Sequence, residues 1–323
     1  MPPIHALLFP LSIFYSTLLA VLFSVAYVGS LYVAKIARLR FGGTHDIRSS
    51  VQPGSRDDPA IIRDRLTAAT MSTVFSCSIV YVLVTQSTAP SPQFDRWLAM
   101  TLTILGVRGS GSTLAYFQTP VLFLGPVFAS YLGSALPFQR NYSLDHNFYK
   151  VFWSWIGFRN YLWGPLTEEI VFRACVLSVY AMGGASRVKM IVFAPLVFGL
   201  AHVHHAWDVY NRLGRTRAAI RHATLSALFQ TAYTTLFGAH TSFLFLRTSS
   251  LGPPLTAHIF CNIMGVPQIG AELRRFPAHK TSIIAVYIIG IVLFLGTLRP
   301  WTAVKDSLYW HAPEDFWRLA MHS

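Results

Sequence analysis

Long apolar runs alternate along this chain with short polar stretches that carry its glycines, prolines and charges. A helix crossing a bilayer needs roughly 20 apolar residues, within about 17 to 25. By that measure spans are predicted near 6–34, 66–86, 112–137, 164–184, 188–206, 220–246, 252–271 and 281–298. Before the third of them, Trp97–Val107 is apolar but short and is broken by Arg108-Gly-Ser-Gly-Ser, so it reads as an interfacial or re-entrant piece. The expected fold class is all-α: a polytopic membrane helical bundle of about eight transmembrane helices. No internal repeat is visible, where inverted repeats would have pointed to a secondary transporter.

Composition supports the membrane reading. Of 323 residues, 53% are hydrophobic and 12% charged, where a soluble domain carries about 25% charged residues. Mean hydropathy is +0.45. A net charge of +13 would suggest nucleic acid in a soluble protein. Here the basic residues sit in short loops between apolar runs, so membrane lipid is the expected partner and nucleic acid is not. With a lumenal N-terminus, the cytosolic loops 35–65, 138–163, 205–221 and 271–280 hold 17 Lys and Arg, against 8 on the other side. That asymmetry favours this orientation, and it leaves the sequon at Asn141 cytosolic and unused. The first run is too long for a signal-peptide core and carries Lys35, Arg38 and Arg40 behind it, so it is expected to be retained as an anchor. Cys77, Cys175 and Cys261 lie in apolar runs without CxxC spacing and suit buried thiols.

A few polar side chains interrupt the apolar runs, and ionisable groups at membrane depth are costly enough to mark function. In PLTEEIVFRAC, Pro165 to Cys175, the adjacent carboxylates Glu168 and Glu169 precede Arg173. Glu169 and Arg173 are spaced i, i+4 and suit a salt bridge, so that pair is expected to neutralise itself and pack. Glu168 is left without a local partner, as a general base requires. In FGLAHVHH, Phe198 and His202 share a helical face, while His204 and His205 lie nearer the loop. Alone, His202 reads as a hydrogen-bonded buried histidine; beside Glu168 it is a candidate for polarising the same water. In HIFCN, His258 and Asn262 share a face. Two converging N–H donors would serve an oxyanion, at about 3 to 4 kcal/mol per donor. Interhelical hydrogen bonds, at about 0.6 to 2 kcal/mol, account for them equally well. The aromatic stretch Phe229 to His240 reads as packing or as pocket lining. Glu168, His202, His258 and His204 offer an N/O donor set for zinc, but no short ligand pair such as HExxH is present. Water activation by carboxylate and imidazole is supported at least as well as a metal.

Three motifs thus stand in order: EExxxR at Glu168–Arg173, FxxxH at Phe198–His202 and HxxxN at His258–Asn262. This set resembles the type II CAAX prenyl endopeptidases, the Ras-converting enzyme family, within the wider CAAX-protease and bacteriocin-processing family of glutamate intramembrane proteases. The resemblance is strong over about residues 150–270, and FRNYLWGPLTEEIVFRAC resembles the eukaryotic endopeptidases more than distant bacterial relatives. It implies a multi-pass endoplasmic reticulum protease with a conical intramembrane cavity open to the cytosol. Such an enzyme removes the last three residues from farnesylated or geranylgeranylated CAAX proteins, Ras-like small GTPases among them. Carried over, Glu168 and His202 activate the water, His258 and Asn262 form the oxyanion hole, and Glu169, Arg173 and Phe198 support the site, with no catalytic metal and no cofactor. The implied organisation is N-terminal helices and a cytosolic loop over 1–149, a catalytic core over 150–299 and a tail over 300–323. That tail reads LAMHS, lacks a cysteine four from its end, and is not expected to be prenylated itself. Two alternatives stay open: a zinc-dependent intramembrane protease, and a non-enzymatic transporter or scaffold in which the same groups pair structurally.

Overall fold

A computed structural model describes residues 11–41, 57–87, 94–109, 111–201, 205–305 and 307–310. Every regular element among them is helical. In chain order these are α1 (Ile13–Phe41), α2 (Pro59–Ser87), α3 (Phe94–Ile104), a 3-10 turn (Thr113–Phe117), α4 (Gln118–Leu122) and α5 (Leu124–Leu132). A short run, 144–152, leads into α6, a helical run over 155–182. Then come α7 over 187–201, α8 (His205–Arg212), α9 (Arg217–Thr248), α10 (Gly252–Met264), α11 (Ile269–Arg275) and α12 (Lys280–Thr302).

Local chemistry sets the ends. Asp58 Oδ1 accepts from the Ala60 amide at 2.9 Å and Pro59 opens α2 with its φ already helical. Thr216 caps α9 by accepting from Ala219 N at 3.1 Å, and Ser249 closes that helix in the left-handed conformation.

The centre of the bundle is α6. From Val171 to Tyr180 every side chain is buried, including Arg173. A helix sealed all round must be enclosed by neighbours, and α1, α2, α9 and α10 all pack on it. The outer helices face the other way. On α1, exposed Phe14, Leu18, Val21 and Val25 form an i, i+4, i+7, i+11 stripe; on α12, Ile288, Val292 and Leu295 do the same. Exposed apolar stripes of this kind suit lipid, and by length and composition Ile13–Tyr32, Pro59–Ser87 and Pro277–Thr302 are each able to cross a membrane.

Other expected spans differ, for identifiable reasons. The predicted helix over 112–137 is broken into a 3-10 turn, α4 and α5, with Pro120 and Pro126 each withdrawing a backbone donor. The predicted span over 252–271 stops at Met264, because Gly265 takes φ 67° and Pro267 follows. Its 13 residues rise about 20 Å, short of the roughly 30 Å hydrocarbon layer. Conversely, the helix expected over 164–184 begins earlier, at 155. The short piece after Trp97 is a helix, α3, closed by Gly106 at φ 70°.

The chain returns to this centre after α12. Ser307 Oγ donates to the Leu246 carbonyl at 2.8 Å. The Tyr309 hydroxyl meets Ser178 Oγ of α6 at 2.9 Å and donates to the Ile104 carbonyl at the end of α3. Trp310 lies under Arg187 and Arg247, with ring-centre distances of 5.2 and 4.6 Å. Tyr309→Phe is expected to cost about 1 to 2 kcal/mol, the worth of interhelical hydrogen bonds. A thermal unfolding midpoint in detergent equal to wild type would show that the latch is slack.

Candidate active site

Two wide turns shape the stretch of α6 that carries Glu168 and Glu169. Phe158–Trp163 and Ile170–Cys175 are π-helical, and between them lies the regular segment Gly164–Glu169. Inserted turns of this type recur at functional sites. Gly164 permits the first: a Cβ there would sit 2.5 Å from the Arg159 carbonyl oxygen. The Gly164 amide donates to that carbonyl, i→i+5. In the same pattern the next donor, residue 165, would serve the Asn160 carbonyl, but Pro165 has no N–H. The abandoned Asn160 oxygen instead accepts from Asn262 Nδ2 of α10 at 2.8 Å.

Glu168 and Glu169 are neighbours, so they leave α6 about 100° apart and enter different surroundings. Glu169 is fully buried. Its Oε1 lies 3.1 Å from Arg173 Nη1 and accepts from His258 Nδ1 at 2.7 Å. The expected i, i+4 pair with Arg173 therefore forms. The expectation that it simply neutralises itself needs correcting, because the same carboxylate also holds a histidine from another helix. Oε2 of Glu169 is buried without a hydrogen-bond partner among the described residues. The Glu168 side chain is 25% exposed, and its Oε2 lies 3.8 Å from His258 Nε2. His258 is thus set between the two carboxylates.

The tautomer follows from the partner. An ionised carboxylate only accepts, so Nδ1 of His258 carries the proton. Nε2 then faces Glu168 as an acceptor in the neutral ring and as a donor in the imidazolium. Phe237 of α9 packs edge-on to the His258 ring at 5.0 Å and lies 5.8 Å from the Arg173 guanidinium. It belongs to the aromatic stretch that had two readings, packing or lining, and it packs. On the other flank Thr167 meets the Tyr27 hydroxyl at 2.9 Å, and Trp163 Nε1 donates to Thr70 at 2.8 Å. These bonds tie the segment to α1 and α2.

Four of the seven expected site residues, Glu168, Glu169, Arg173 and His258, form one contact network. Asn262 lies at its rim, exposed and docked on Asn160, and that bond uses one of its two amide hydrogens. The contacts His258–Glu169 and Asn262–Asn160 run in opposite chain directions, so α10 is antiparallel to α6. Asn262 therefore sits toward the N-terminal end of α6. His202 lies outside the described residues, as does His204. Of Phe198 only the backbone, in α7, is described. Tyr27, Asn160 and Phe237 were not singled out from the sequence; the Gly164-Pro165 dipeptide was the available signal for Asn160. At the same end of α6 an apolar cavity of about 450 Å³ is lined by Phe152, Trp153, Ser154, Trp155, Phe158 and Leu162.

Comparison with known proteins adds to this geometry. The family model described as Type II CAAX prenyl endopeptidase Rce1-like matches residues 150–264. The chain is 35% identical to CAAX prenyl protease 2 of Homo sapiens, over 87% of its own length and 79% of that protein. It is 30% identical to the probable CAAX prenyl protease 2 of Schizosaccharomyces pombe, over 87% and 91% of the two chains. With CAAX prenyl protease 2 of Caenorhabditis elegans it shares 31% identity over 75% and 86%. No solved structure matches.

The buried ion pair is testable on its own. Arg173→Gln leaves Glu169 charged in a sealed site and is expected to destabilise by about 3 to 5 kcal/mol. Removing both charges, Glu169→Gln with Arg173→Gln, is expected to cost less than the single change. Thermal unfolding of the two variants in detergent decides, and a double variant no more stable than the single one would refute the pairing argument.

Proposed function

Since the chain belongs to the Rce1-like family of type II CAAX prenyl endopeptidases, we propose that it cleaves prenylated CAAX proteins with a water activated at Glu168. The protein is a hydrolase of the membrane, and its substrates are prenylated CAAX proteins. The finer reading, proposed here, is that it acts at the endoplasmic reticulum on Ras-like small GTPases and similar proteins, releasing the last three residues toward the cytosol.

The observation that carries the mechanism is the unequal placement of the two carboxylates around His258. Glu169 is sealed and already bonded, so it orients; Glu168 is the one with access to water, so it acts as base. Glu168 takes a proton from water, assisted by His202 as the family resemblance implies. The hydroxide adds to the carbonyl of the prenylated cysteine and gives a tetrahedral oxyanion. His258, held at Nδ1 by Glu169, donates from Nε2 as the imidazolium, and the second amide hydrogen of Asn262 completes the hole. Collapse breaks the C–N bond, and the proton on Glu168 passes to the departing amine. The isoprenoid stays attached to the same cysteine through its thioether, and the aromatic cavity at the start of α6 offers it an apolar seat. A lone lipid chain holds a protein only marginally to a bilayer, so the enzyme is expected to receive chain and peptide together at the leaflet.

Purified protein in detergent, incubated with a farnesylated CAAX peptide, is expected to release the tripeptide, read by mass. Glu168→Ala is expected to abolish release. Asn262→Ala is expected to lower kcat by about 100-fold with little change in KM, as loss of one oxyanion donor does. An intact peptide with wild-type protein would reject the enzyme reading; an Asn262→Ala defect confined to KM would reject the oxyanion role. Narrowing the cavity, Leu162→Trp, is expected to raise KM more for a geranylgeranylated peptide than for a farnesylated one. Equal changes would place the isoprenoid elsewhere.

A further inference from the structure

Cleavage at the prenylated cysteine fixes where the other end of the substrate must be. Three residues separate the scissile carbonyl from the C-terminal carboxylate, and extended they reach about 10 Å. The carboxylate is therefore met by a group about that far from Glu168 and Asn262. We propose that this group is Arg159, so that the site reads the free C-terminus of its substrate. This inference rests on the protease reading above.

Arg159 lies on α6, nine residues before Glu168, a rise of about 13 Å along the helix. Its Nε donates to Asn160 Oδ1 at 2.8 Å, and the Asn160 carbonyl holds Asn262 at 2.8 Å. One short chain of contacts thus joins the guanidinium to the proposed oxyanion donor. The Arg159 side chain is 13% exposed, so it is seated in the protein and not waving in solvent. It already grips a carboxylate: Nη2 lies 3.0 Å from Asp57 Oδ1, and the Asp57 side chain is 51% exposed. An exposed aspartate just ahead of α2 is an exchangeable occupant of a fork that suits carboxylates.

Other cations are placed less well. Arg173 is sealed behind Glu169. Arg63 lies over the Trp155 ring at 5.7 Å. Arg275 lies over Phe276, past the end of α10. Of these cations, Arg159 combines a partly buried seat, a carboxylate already in its grip and a bonded link to Asn262.

The test compares a farnesylated CAAX peptide bearing a free C-terminal carboxylate with the same peptide as its C-terminal amide. Wild type is expected to favour the acid by about tenfold or more in kcat/KM, the worth of a charge-assisted hydrogen bond. Arg159→Gln is expected to lose that preference, slowing the acid about tenfold more than the amide. Arg159→Lys is expected to restore part of it. The amide reaction doubles as the folding control, since a misfolded variant would lose both. Wild type cutting acid and amide equally, or Arg159→Gln slowing both alike, would overturn the anchor while leaving the protease standing. Cleavage of neither peptide by wild type would overturn both.

Discussion

One carboxylate bears the cost that organises this site. Glu169 is buried completely, and Arg173, one turn along, is buried with it. Taking either charge out of water costs several kcal/mol even after relaxation, and the pair repays this only when its geometry is good. Apolar residues of similar volume would hold the bundle as well or better. What the pair supplies beyond packing is direction. Glu169 Oε1 also accepts from His258 Nδ1, so the arginine fixes the carboxylate and the carboxylate fixes the ring. A histidine held at one nitrogen has its tautomer and its aim decided at the other.

The adjacency of the two glutamates then gains a geometric meaning. Consecutive positions on a helix point about 100° apart, so an EE dipeptide at a bundle centre sends one acid inward and the other sideways, where it stays partly exposed. The inner one is chemically spent on its partners. The outer one, 25% exposed and 3.8 Å from His258 Nε2, retains access to water. A single glutamate would have to choose between orienting the imidazole and activating water.

Much of this was legible in the chain before any coordinates. The i, i+4 spacing of Glu169 and Arg173 predicted their pair, because helical geometry is local and needs no knowledge of the fold. His258 and Asn262 were predicted to share a face for the same reason. The bond from Glu169 to His258 was not legible, since it joins positions 89 residues apart and depends on how α10 leans on α6. Helix ends were misjudged where apolar composition ran past a backbone signal. Gly265 and Pro267 stop α10 although the residues after it remain largely apolar, and Pro120 and Pro126 divide a run whose hydropathy is continuous. Hydropathy reports the solvent a segment prefers; glycine and proline report where its backbone turns.

Pro165 shows how such a backbone signal becomes chemistry. A carbonyl deprived of its helical donor needs another partner. Proline at position 165 deprives Asn160, and the nearest compensating group is the amide of Asn262, on a helix running the opposite way. The loss of one intrahelical bond is thereby converted into a fixed point between α6 and α10, at the rim of the carboxylate–imidazole cluster. That fixed point has two sides. Inward, it positions an amide whose second hydrogen is available to a substrate; outward, the Asn160 side chain takes the Arg159 Nε–H. The break in the helix therefore sets the spacing between the group that would hold an oxyanion and the group that would hold a chain terminus. Since both positions are fixed by the backbone around residues 159–165, a substrate of the wrong length would satisfy one and miss the other.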